Sequence, residues 1–127
     1  MRIEVSWDNA EKTIIRYDYG EDWTWEDFHD ANQKSNRMAA SVTHIVDLIV
    51  DFTHGSPPPA GSLGRFRKAM EDAPKNRGII VIVGGSFFIN SLVAVFSRIY
   101  RALGRRLMTA GTVEEAQVRI ADLRATR

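Results

Sequence analysis

The sequence predicts an α/β domain. Its mixed sheet has about five strands, with about four helices, in the order β-β-α-β-α-β-α-β-α. Three observations carry this. Two short apolar runs, Ile45 to Asp51 and Gly78 to Val83, are rich in Ile and Val and bounded by turn residues. That is how strands buried on both faces read. Between them Leu63, Phe66 and Met70 fall at i, i+3 and i+7, on one face of a helix. Strand, helix and strand over about 40 residues form a βαβ unit, with parallel strands and a right-handed crossover.

The chain before this unit reads as a hairpin and a helix. Residues 2–8 alternate, with Ile3, Val5 and Trp7 on one side, as a half-buried strand does. Asp8 to Lys12 is a turn cluster and Thr13 to Tyr19 a second strand, so residues 2–19 form a β-hairpin. Gly20 to Trp23 break the pattern. Thr24 is a good N-cap, and Glu26, Asp27 and Asp30 place negative charge at a helix N-terminus. Trp25, Phe28, Asn32, Ser35, Ala39 and Val42 trace the inner face of a helix over 25–41.

Inside the unit, the loop from Phe52 to Ser62 holds Pro57, Pro58 and Pro59 between Gly55 and Gly61. Proline fixes φ, so the loop is stiff, and Ser62 is expected to cap the next helix. After it, Gly84-Gly85-Ser86 opens a helix over 86–103. This helix is apolar on more than one face, through Phe87, Phe88, Leu92, Val95, Phe96 and Ile99. Covering one side of a sheet needs an apolar stripe only ~100° wide or a little more. The excess reads as deep burial, a dimer surface or the wall of an apolar pocket. Arg106 to Thr109 is a fifth strand. Thr112 caps a last helix, with Glu115 completing a capping box and Ala116, Ile120 and Leu123 as its inner stripe.

At 127 residues the chain is one domain, spanning 1–127. With no cysteine, it has no disulfide, thiol chemistry or cysteine-bound metal, which fits a reducing cytoplasm. Met1 leads straight into charged residues with no visible signal peptide. No apolar run reaches the ~18 residues that span a membrane. Charge is uneven: residues 1–30 carry nine acids against Arg2, Lys12 and Arg16, while residues 98–127 carry seven arginines against three acids. Either this asymmetry steers a partner or the two ends lie close and offset each other.

The hairpin, the GEDWT turn into the first helix, the strand HIVDLIVDFTHG, residues 78–84 and the helix SFFINSLVAVFSRIY resemble a STAS domain in order and pattern. STAS domains occur in sulfate transporters and anti-sigma-factor antagonists. The similarity covers essentially the whole chain and implies a single STAS-like fold. A related STAS-like group is similar to CRAL-TRIO lipid-binding domains. In the antagonists, Asp-Ser-Ser-Gly opens the second helix and one serine is phosphorylated by a partner kinase. Here the same positions hold Pro59, Ala60, Gly61 and Ser62. The acid is absent, Gly61 takes the phosphoacceptor place, and Ser62 would serve only with a one-residue slip.

Little in the sequence argues for catalysis. His29, His44 and His54 lack metal-ligand spacing. Asp51 and His54 lie just past a central strand, where α/β proteins often place ligands, but no nucleophile elbow or nucleotide loop occurs, and no cofactor is expected. Arg65, Arg67, Lys68, Lys75 and Arg77 read as a solvated basic face rather than a nucleic-acid site.

Two expectations follow. The first is a non-enzymatic regulatory module. By the STAS resemblance, it would meet a protein partner through Thr53, His54, Ser56, Ser62, Leu63 and Phe66. The second is a binder of a small apolar or lipid-like molecule beneath helix 86–103, lined by Phe88, Leu92 and Phe96. Homodimerisation through that helix is compatible with both.

Overall fold

The computed structural model describes residues 2–127. One five-stranded sheet runs in the order β1 (Ile3–Trp7), β2 (Ile14–Tyr19), β3 (Val46–Asp51), β4 (Arg77–Val83), β5 (Leu107–Ala110). β1 pairs antiparallel with β2, and every later pairing is parallel. The mixed α/β sheet expected from the hairpin and the βαβ unit is therefore present.

Two apolar layers cover the sheet. On one face, Val5, Tyr17, Leu48 and Ile80 pack against α1 (Trp25–Ala40), α2 (Ser62–Glu71) and the start of α3 (Phe87–Ile99). On the other, Ile14, Ile49, Val81 and Val83 pack against Ala116 and Ile120 of α5 (Val113–Ala125). Ile49 and Val81 are fully buried. Covering on both faces explains why β3 and β4 read as continuous apolar runs rather than alternating ones.

The expected helix over 86–103 divides. α3 ends at Ile99, Tyr100 leaves helical geometry at φ −113° and ψ 74°, and α4 (Arg101–Gly104) is a separate turn. The helical segments therefore number five among the described residues, not four. Thr24 does cap α1: its hydroxyl accepts from the Asp27 N–H at 3.2 Å, and the Asp27 carboxylate accepts from the Thr24 N–H at 2.9 Å. Two caps differ from expectation. Ser62 does not cap α2 but is its first residue, and the cap position is Gly61 in the left-handed region at φ 81°. Thr112 caps α5, but the Glu115 carboxylate accepts from the Gly111 N–H at 3.0 Å, so the box closes one residue early.

The β3–β4 pairing carries an irregularity. Val46 faces Arg77, yet Leu48 faces Ile80, so β4 holds one extra residue at Gly78–Ile79. A bulge of this kind frees a backbone N–H and turns the side chain beyond it to the other face. Here the Ile79 N–H donates to the Asp47 carboxylate at 2.8 Å. A Cβ at Gly78 would collide with that carboxylate and with Ile45, so glycine is required for the approach.

Asp47 is fully buried and also receives Arg124 Nη2 at 2.9 Å and Arg127 Nη2 at 2.8 Å. Arg124 reaches on to Thr13 in the turn between β1 and β2. The arginine-rich end thus returns to the hairpin, but its counter-ion is Asp47. Among the described residues, no ion pair joins the acidic first thirty residues to residues 98–127.

Candidate functional site

Between the sheet and α1, α2 and α3 lies a cavity. The space open to the centre of a water-sized atom is about 110 Å³. Its floor is Leu48, Val50, Ile80 and Ile82 of the two central strands. These residues alternate with Ile49, Val81 and Val83 of the opposite layer, so strand pleating assigns them to this face. α2 contributes Leu63, Phe66 and Met70, the i, i+3, i+7 stripe seen in the sequence. α3 contributes Ile89, Leu92, Val93 and Phe96.

Aromatic rings brace one side. Tyr19 stacks on Phe52 with ring centroids 4.2 Å apart, and Phe28 meets Phe66 edge-on at 5.2 Å. Trp25 joins Phe28 at 5.4 Å and Phe66 at 5.7 Å, behind the wall. Offset and edge-on contacts are the favoured arrangements of such rings, and they stiffen the wall.

One end of the cavity is polar. Arg77, Tyr17 and Asn32 all line it, and among the described residues Arg77 is the one charged lining residue. Tyr17 Oη donates to Asn32 Oδ1 at 2.9 Å. Arg77 Nη2 donates to Asn36 Oδ1 at 3.1 Å, with Ser35 Oγ at 3.4 Å. Arg77 Nε is buried and has no acceptor among the described residues. Among the described residues no carboxylate pairs with Arg77. Burial pushes its pKa down, opposed by the neighbouring Tyr17, but a guanidinium remains charged throughout the pH range of proteins. Burial likewise raises the pKa of Tyr17, against the lowering effect of the Arg77 charge, and raises Tyr19 well above the ordinary tyrosine value.

The residues singled out in the sequence separate into four places. Leu63, Phe66, Leu92 and Phe96 come together around the cavity. Phe88 does not join them: it is half-exposed, on the same outer side as Phe87, Val95 and Ile99. The excess apolar surface of α3 is thus split between a cavity wall and an uncovered face.

Thr53, His54 and Ser56 form a shallow polar hollow with Glu21 and Asp22. Within it Ser56 is tied down, its hydroxyl accepting from the Asp22 N–H at 2.9 Å and its carbonyl from Trp23 Nε1 at 2.7 Å. Ser62 is buried at the first turn of α2. The Asp51 carboxylate accepts from the Thr53 N–H at 2.8 Å and meets Arg16 at 3.4 Å, with no hydrogen bond to His54. No group of three His, Asp or Glu side chains among the described residues is placed to hold a metal ion. Among the described residues, no helix is long and apolar enough to cross a membrane.

Arg77 is the residue that sequence reasoning misplaced. It does not belong to a solvated basic face but turns inward to α1. Simple alternation places it opposite Ile80, and the extra residue at Gly78–Ile79 reverses that. The run Asn76-Arg77-Gly78 was the available signal, since glycine inside a strand marks a bulge.

No family model matches the chain, and no curated protein matches it significantly.

Proposed function

We propose that this chain is a non-enzymatic binding protein for a small, largely apolar molecule held between the sheet and α1, α2 and α3. One observation carries the reading: the central strands and three helices converge on unfilled apolar space. Well-packed cores leave few voids larger than a water molecule. Concave, apolar, largely preformed sites with a few polar groups are how small molecules are commonly held. A cytoplasmic location, consistent with the absence of cysteine, belongs to the same proposal.

Leu92→Trp tests it. An indole at Leu92 enters the cavity, so ligand binding is expected to be lost while the fold is kept. Enlarging a side chain in a filled core costs about 1–3 kcal/mol. Unchanged binding of apolar molecules by a folded Leu92→Trp protein would count against the site.

A second reading is a STAS-like regulatory or protein-interaction module. The order of elements agrees with that resemblance. Thr53 and His54 stand exposed at the start of the proline-rich loop, where a partner can reach them. Ser62 is 7% exposed, so its phosphorylation would require the first turn of α2 to open. A homodimer would use the outer side of α3, where Phe87 is 88% exposed. The paired substitution Thr53→Asp, His54→Asp should abolish partner capture without unfolding; undiminished capture would remove that surface.

A further inference from the structure

We infer that the cavity takes an anionic amphiphile, a medium-length aliphatic chain ending in one carboxylate, with its head group on Arg77. This rests on the ligand-binding reading and specifies the chemistry of the ligand. The supporting observations are independent of the cavity's size. Among the described residues Arg77 is the single charged residue of a largely apolar lining, and no acid among them neutralises it. Its Nε–H is buried without an acceptor. A partly buried cation and a buried donor each carry a desolvation penalty unless something answers them. One group on the ligand answers both: a carboxylate supplies the negative charge and the acceptor together.

The neighbouring groups favour a carboxylate over a neutral oxygen. Tyr17 Oη already donates to Asn32, and Arg77 Nη2 already donates to α1, so the cation is oriented before any ligand arrives. A preorganised guanidinium suits a planar carboxylate, and charge-assisted hydrogen bonds are roughly twice as strong as neutral ones. The remaining lining, from Leu48 and Ile82 to Leu92 and Phe96, offers only hydrocarbon and aromatic surface to the tail. Octanoate carries both features, a linear hydrocarbon chain and one terminal carboxylate, and serves as the probe.

The test compares octanoate with octan-1-ol, alike in chain length and different in charge. Binding is read by calorimetry and by tryptophan fluorescence, since Trp25 backs the aromatic wall. Wild-type protein should bind octanoate roughly ten- to a hundred-fold more tightly, the range for one hydrogen bond to a charged group. Arg77→Met should erase that preference by weakening octanoate alone. Leu92→Trp should abolish binding of both. Equal binding of the two probes by wild type overturns the head-group assignment and leaves the cavity reading standing. Failure of both probes to bind wild type overturns the cavity reading itself. The wild-type comparison decides the matter even if Arg77→Met does not fold.

Discussion

The Ile79 N–H donates to the Asp47 carboxylate at 2.8 Å, across the one irregular step of the β3–β4 pairing. That hydrogen bond satisfies the backbone donor released by the extra residue. It joins the two faces of the sheet. On one side Asp47 gathers Arg124 and Arg127. On the other, the same step places Arg77 at the polar end of the cavity. A buried structural charge therefore supports the position of the cation assigned to the ligand.

Asp47→Ala should be among the most damaging substitutions in the chain. It removes the counter-ion of two arginines and strands the Ile79 N–H. Breaking a buried pair by removing one partner costs about 3–5 kcal/mol. Arg127 is about one-third exposed, and Arg127→Ala should cost ~1 kcal/mol or less. Urea unfolding of the two variants checks the ranking, and equal losses would refute it. In folded Asp47→Ala protein, the octanoate preference should also fall, because the step that aims Arg77 has lost its support.

Alkaline pH should unfold the protein through its buried tyrosines. Burial raises the pKa of Tyr17 and, more strongly, of Tyr19. An unfolded tyrosine ionises near pH ~10. Above that pH the unfolded chain releases protons that the native chain still holds, so stability falls as pH rises. Below it neither state ionises, and the tyrosine contribution is flat and fully present. Tyr19→Phe should move the alkaline transition to higher pH. Circular dichroism followed against pH reads this directly; an unmoved midpoint would contradict it.

Gly84→Ala should destabilise the junction between β4 and α3. Gly84 sits at φ 69°, and an added Cβ would approach the Thr53 backbone nitrogen to 2.8 Å. A non-glycine residue forced into such geometry costs about 1–3 kcal/mol. The expected result is a lower urea midpoint with an unchanged m-value. Moving Thr53 would also disturb its hydrogen bond to Asp51, so the loop after β3 should gain hydrogen exchange.

What lay in the sequence was what depends on near neighbours. Thr24 with Asp27, the Ile and Val runs of β3 and β4, and the Leu63–Phe66–Met70 stripe each state a local preference in the residues themselves. Together they determined the element order, the parallel unit and the face that α2 buries. The tertiary structure decided the rest. Which apolar residues of α3 meet the cavity and which stay uncovered depends on where that helix lies against the sheet: Leu92 and Phe96 face inward, Phe88 does not. The direction of Arg77 depends on one extra residue in β4, held open by a carboxylate from the adjacent strand and by arginines 77 and 80 residues farther along. A period-two pattern carries no record of such a step. The cavity is the space left between elements distant in sequence, so only their packing together could create it.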